Sequence, residues 1–308
     1  MDGKTVNIGP IYGGQGGTGG AGGQSGGAGG VGQGNTLHIN GESVKIVNFH
    51  EDTENEYQTK IRNKISPLNV FPQQQALTMT RVSDTGEWLL ESIEFQEWKS
   101  SPGAVLWCYG NLGVGKTMLV SFLVDYLRIE EDQSVAPVAC LYLDHRQEET
   151  QKLPSLLAAL WRQFIFRKEA SAKAKKIYEE HSRIGTQVSK AQIFDLLQEA
   201  IAPFSKVYVM IDGLNEFPIN SRQTLINDLQ SLGPSINLLI TAQPQVEALD
   251  WNGPLIYLEI QASPVDINNY IKAWIQVSDN LRKQSMAEQD SQLENKICIA
   301  ITNEAQEM

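Results

Sequence analysis

The chain has only three cysteines in 308 residues, Cys108, Cys140 and Cys298. They are far apart and odd in number, which excludes a scaffold held by disulfides. Cys108 and Cys140 stand inside apolar runs and read as small core residues of a reducing compartment. The four histidines, His38, His50, His145 and His181, fall at no ligand spacing with them, so a structural metal site is not expected. Basic residues are also short, 25 Lys and Arg against 36 Asp and Glu, for a formal charge of -11. That balance argues against nucleic acid and against an anionic membrane surface as partners. No apolar run reaches membrane-spanning length and no signal-peptide pattern opens the chain, so a cytoplasmic protein is expected.

Glycine is plentiful. From Gly9 to Gly34 the sequence is mostly Gly, with Gln, Ser, Thr and Ala the main residues between, and no charged residue falls between Lys4 and Glu42. With almost nothing apolar to bury, the backbone entropy of glycine dominates, and residues 1–35 read as a disordered leader. The sharper alternative is a self-associating element, because uncharged Gly/Gln tracts stack as strands. Residues 36–82 read as a linker with a possible short hairpin around Asn40-Gly41-Glu42. Residues 51–82 in particular are polar and carry Pro67 and Pro72. The basic run Arg167, Lys168, Lys173, Lys175 and Lys176 is followed at once by Glu179 and Glu180, and reads as a solvated helix face.

The most informative segment is Gly110-Asn111-Leu112-Gly113-Val114-Gly115-Lys116-Thr117, a complete GxxxxGK[ST] phosphate-binding loop. Gly110, Gly113 and Gly115 let the backbone curl so that successive N–H groups face phosphate oxygens. Lys116 supplies an ammonium to the phosphates, and the Thr117 hydroxyl is a magnesium ligand. Ala104–Tyr109 before it suits a buried strand, and Met118–Leu127 after it suits a buried helix. About a hundred residues on, the apolar strand Val207–Ile211 ends in Asp212, placed to support the metal. Glu216 follows, placed to activate an attacking water. ATP or ADP with Mg2+ are therefore the expected cofactors, with Glu216 and Asp212 as the catalytic candidates and Thr117 and Asp212 as the metal ligands.

Further strands are predicted at Val138–Leu143, Ile236–Thr241 and Leu255–Ile260, separated by helices. Leu153, Leu156, Leu157, Leu160, Trp161, Phe164 and Ile165 mark one helix, and Ser189 with Gln192 offers a capping box for another. Trp88, Leu89, Ile93, Phe95 and Trp98 mark an amphipathic helix stopped by Ser101-Pro102-Gly103. Ser263-Pro264-Val265-Asp266 starts a helix whose predicted buried face is Ile267, Tyr270, Ile271, Trp274 and Ile275. A last helix is predicted through Leu293, Ile297, Ala300 and Ile301. Strands alternating with helices give an α/β fold with a parallel sheet sandwiched by helices and ligands at the carboxyl ends of its strands.

The order Trp88-Leu89-Leu90, Leu106-Trp107-Cys108-Tyr109-Gly110 and Ile211-Asp212-Gly213-Leu214-Asn215-Glu216 resembles the NACHT nucleotide-binding domain of STAND signalling ATPases. It looks most like the fungal form with a nephrocystin-3-like N-terminal region. Leu238–Thr241 resembles that family's sensor strand, and Leu258-Glu259-Ile260 before Asp266-Ile267 its passage into a helical domain. The resemblance implies a nucleotide-binding domain over 83–262 and the start of a helical domain over 263–308, cut short at Met308. It also implies a switch that rests with ADP, exchanges it for ATP, homo-oligomerises on activation and drives a downstream effector in fungal nonself recognition or cell death. The family has an acid where this chain has Asn215, and an Arg where it has Gln243, so hydrolysis is expected to be slow or absent. The competing expectation is a non-enzymatic module, stabilised by nucleotide, whose glycine-rich leader mediates assembly.

Overall fold

The structure, a computed structural model, describes residues 50–133, 135–247 and 250–277. The glycine-rich leader, the hairpin before residue 50, Cys298 and the helix predicted through Ile301 lie outside the described residues.

The first described elements are α1 (His50–Ile65) and α2 (Phe71–Thr80). Here the structure corrects the reading of 51–82 as a linker. The stretch looked polar because α1 buries little beyond Ile61 and Ile65. Pro72 sits in the first turn of α2, where a missing N–H costs nothing, so it starts a helix instead of breaking one. The single amphipathic helix predicted at 88–98 is two, α3 (Trp88–Glu91) and α4 (Ile93–Ser100). Ser92 leaves helical geometry between them, and its hydroxyl accepts the Phe95 N–H to cap α4.

The chain continues as β1 (Val105–Tyr109), α5 (Lys116–Glu130), β2 (Val138–Tyr142), α6 (Leu153–Phe164), α7 (Ala172–Ile184) and α8 (Lys190–Ile201). Then come β3 (Val207–Asp212), α9 (Ile219–Ser231), β4 (Ile236–Ala242), β5 (Leu255–Glu259) and α10 (Pro264–Val277). The predicted capping box is present, with Ser189 and Gln192 each satisfying the other's backbone N–H at the start of α8. On α7, Lys173 pairs with Asp195, and Lys175 with Glu54 and Glu169, as expected of a solvated face.

The five strands among the described residues are all parallel, in the order β2-β3-β4-β1-β5. β3 and β4 are buried at every position, so helices cover the sheet on both sides there. At one edge, β5 alternates buried and exposed residues. This is the fold of P-loop nucleoside triphosphatases. The core is built on aromatic anchors: Trp98, Phe95, Trp161 and Tyr208 are all essentially inaccessible to solvent. The Trp98 indole N–H donates to the Leu238 carbonyl at 3.0 Å and ties α4 to β4. Asn237 is the one amide buried within the sheet and is fully used. It donates to the Trp98 and Ser101 carbonyls at 2.7 and 2.8 Å and accepts from the Gly103 N–H at 3.0 Å.

Helix α10 departs from its predicted buried face. Ile271 is buried and Ile267 half-buried, but Tyr270 is 57% and Trp274 58% exposed. Apolar spacing shows which residues share a flank of a helix; only packing decides how much of the flank is covered. The side chain of Ile275 lies outside the described residues. Among the described residues no helix is long and apolar enough to cross a membrane.

Candidate functional site

The phosphate loop joins β1 to α5. Gly113 and Gly115 take positive φ values of 87° and 93°, which bend the loop in a way L side chains resist, and a Cβ at either would point into open space. Gly110 is glycine for a different reason. A Cβ there would run into the carbonyl of Ile260, just past β5, whose N–H is bonded to the Tyr109 carbonyl at 2.7 Å. Gly115 caps α5 with no side-chain hydrogen bond and no acid in the first turn, so the leading N–H groups of that helix are left for a ligand.

Lys116 lies back over the loop, its Nζ donating to the Gly110 and Asn111 carbonyls, each at 2.7 Å. Burial lowers its pKa and the Asp212 carboxylate opposes that shift. Thr117 Oγ1 donates to Asp212 Oδ2 at 2.7 Å. On the other side, Thr241 Oγ1 donates to Asp212 Oδ1 at 2.6 Å while accepting the Gly213 N–H at 2.8 Å. β4 runs between β1 and β3, which sets Thr241 beside the tip of each. Asp212 is only 5% exposed. Burial pushes its pKa up, while the Thr241 and Thr117 hydroxyls and the Lys116 charge pull it down.

Glu216 stands on a 3-10 turn, Leu214–Glu216, just past β3. Both its oxygens are engaged, Oε1 by the Asn215 amide at 2.6 Å and Oε2 by His145 Nδ1. His145 begins a similar turn after β2. Glu216 follows Asp212 by four residues, and the hydrogen bonds it makes go to Asn215 and His145, not to Thr117 or Lys116. The structure thus unites Gly110, Gly113, Gly115, Lys116, Thr117 and Asp212 in one constellation, with Glu216 clamped beside it.

An apolar cleft of about 360 Å³ opens next to the loop. It is lined by Val82 and Trp88 from the segment before β1, by Gly113 and Met118 of the loop and α5, and by Ile267 and Tyr270 of α10. Asp266 joins α10 to the segment before β1: Oδ1 accepts the Gly86 N–H and Oδ2 the Trp88 indole N–H, each at 3.1 Å.

The residues present fit a nucleotide with magnesium. Uncapped N–H groups, a lysine and an open glycine loop suit phosphates, and a hydroxyl beside a carboxylate is the oxygen donor set of a hard cation. No local sequence pattern marks His145 as a partner of Glu216 or the residues that line the cleft, and little marks Thr241 as a partner of Asp212. The one available signal was a threonine ending an apolar strand.

A model of the nephrocystin 3 N-terminal family matches residues 84–243, more than half of the chain. The chain belongs to that family. The matched range of this chain includes the phosphate loop, Asp212, Glu216 and Thr241. No curated protein matches the chain. Among solved structures, it is similar to the Aeropyrum pernix ORC1 protein in complex with DNA, with a TM-score of 0.40 and 15% identity over 70% of this chain and 53% of that one. For the Aeropyrum pernix ORC2 protein, in ADPNP-ADP complexes, the TM-score is 0.38 and the identity 14%, over 63% of this chain and 52% of that one. For Drosophila ORC bound to DNA the values are 0.39 and 15%, over 79% and 56%. The chain spans about half the length of these structures.

Proposed function

We propose that the chain is an ATP/ADP-binding switch of the STAND/NACHT type, with slow or no hydrolysis. The observation that carries this reading is the Thr117–Asp212–Thr241 arrangement beside a lysine-covered phosphate loop. Magnesium would be held by Thr117 and Asp212, and when bound it would neutralise phosphate charge. Lys116 and the first turn of α5 bind and orient the phosphates. The cleft between Trp88 and α10 takes the flat base on its apolar walls.

A ligand shifts an equilibrium only by contacting two states differently. The cleft is lined both by the segment before β1 and by α10, and Asp266 bridges them, so a bound nucleotide would touch the nucleotide-binding domain (83–262) and the start of the helical domain (263–308) at once. Homo-oligomerisation on activation, an effector downstream and a fungal nonself-recognition or cell-death setting belong to the same proposal, carried by the resemblance of the motifs. A second reading, a non-enzymatic module stabilised by nucleotide, is favoured by one observation. Glu216 is engaged at both oxygens and so is poorly placed to take a proton from water.

Calorimetry with ATP and ADP in magnesium tests the site. Lys116→Ala removes charge-assisted contacts worth about 1.5–3 kcal/mol, which is a loss of roughly tenfold or more in affinity. Equal affinity in wild type and variant would remove this site from the proposal.

A further inference from the structure

Three arginines line a second cleft, of about 570 Å³, which shares no lining residue with the first. Thr80 and Arg81, at and just beyond the end of α2, face the nucleotide cleft, whereas Gln74 and Thr78 face this one. Arg62 comes from α1, Arg128 from α5 and Arg162 from α6. Their partners are all neutral. Arg62 donates to the Lys168 carbonyl at 2.9 Å, Arg162 to Asn63 Oδ1 at 2.8 Å and the Ser66 carbonyl at 2.9 Å, and Arg128 to Gln163 Oε1 at 3.3 Å.

Asp125 is the one carboxylate lining the cleft, and it is already engaged. It accepts from Gln74 Nε2 and Thr78 Oγ1, each at 2.8 Å, and from Arg81 at 3.1 Å. The Nε of Arg62 is buried with no hydrogen-bond partner at all. Burial lowers the pKa of Arg62 and of Arg162, and the charge of Arg62 lowers that of Arg162 further, as expected of cations held together without a counter-charge. This concentration of positive charge stands out on a chain whose net charge is -11. Beside it, Phe71 and Phe166 pack with ring centroids 4.5 Å apart, and the Arg128 guanidinium lies 5.7 Å over the Phe71 ring.

We propose that this cleft is a second binding site, for a small molecule bearing more than one phosphate group. Guanidinium forks match phosphate oxygens in pairs, and an uncompensated cluster of three calls for a multiply charged anion, where a single carboxylate would neutralise one. The volume is that of an ordinary small-molecule site, and the two phenylalanines give an organic body a surface to rest on.

The test is calorimetric titration of the full chain with inorganic pyrophosphate, without magnesium. The phosphate loop also attracts pyrophosphate, so the titration is run in the Lys116→Ala background, which weakens that competing site, and the arginine variants then separate the two. Pyrophosphate should bind that variant, more weakly as salt is raised. Adding Arg62→Gln or Arg128→Gln should cost at least tenfold in affinity. Should Arg62→Gln fail to fold because it anchors the Lys168 carbonyl, Arg128→Gln decides alone, since among the described residues its side-chain hydrogen bond is to Gln163. Absence of pyrophosphate binding in the Lys116→Ala chain overturns the proposal, and so does undiminished binding after Arg128→Gln.

Discussion

Thr241→Val would isolate what the β4 hydroxyl does for Asp212. The side chains are nearly the same size and Thr241 is 2% exposed, so packing is kept and only the hydroxyl is lost. Two hydrogen bonds disappear. The one to Asp212 at 2.6 Å is charge-assisted and worth about 1.5–3 kcal/mol. The one from the half-buried Gly213 N–H at 2.8 Å leaves a donor unpaired, at about 1 kcal/mol. Burying one more methyl returns about 0.8 kcal/mol. The net loss is then about 2–3 kcal/mol, or roughly 5–10 °C in Tm for a domain of this size.

The pH dependence follows from the sign of the shift. The folded pKa of Asp212 lies above its ordinary value of 3.8, because burial disfavours the carboxylate. In that case the native state holds the proton longer than the unfolded chain. Stability is greatest below the ordinary carboxylate range and falls as pH rises through the folded pKa. Thr241 is one of the donors that limit the shift, so the variant should move it further up and lose more stability at pH 8 than at pH 5. Urea unfolding of both chains at the two pH values, without nucleotide, measures this. An equal loss at both pH values, or a larger loss at pH 5, would refute the account of Asp212.

Gly110→Ala should cost about 1–3 kcal/mol through overpacking, because its Cβ meets the fixed carbonyl of Ile260. A thermal melt at the wild-type temperature with undiminished nucleotide affinity would count against that contact. Releasing Glu216 by His145→Ala, together with Asn215→Asp and Gln243→Arg, should raise ATP turnover, a general base being worth about 10²–10⁴-fold. A native chain that already turns over at a typical rate of about 10 s⁻¹ would contradict the reading of the Glu216 clamp.

The sequence by itself determined the phosphate loop, because each of its jobs is done by residue types contiguous in the chain. Gly113 and Gly115 supply backbone geometry, and Lys116 and Thr117 supply charge and a hydroxyl, all within one turn of the chain. It also determined the strands, since runs such as Val207–Ile211 are apolar at every position, and the start of α8, since a capping box is local. The strand order lay beyond it. That β4 enters between β1 and β3 depends on how helices pack on both sides of the sheet, and this insertion alone brings Thr241 to Asp212. The polar helices α1 and α2 were illegible because a few buried residues leave little periodicity; their docking rests on tertiary partners, such as Gln74 reaching Asp125 and the Ser121 carbonyl of α5. The clamp on Glu216 and the cluster of Arg62, Arg128 and Arg162 join residues tens of positions apart. Local pattern fixes what a segment is, whereas long-range packing fixes which segments meet: Lys116 is held by carbonyls of its own loop, but the Thr241 bond to Asp212 and the His145 bond to Glu216 exist only because distant segments meet.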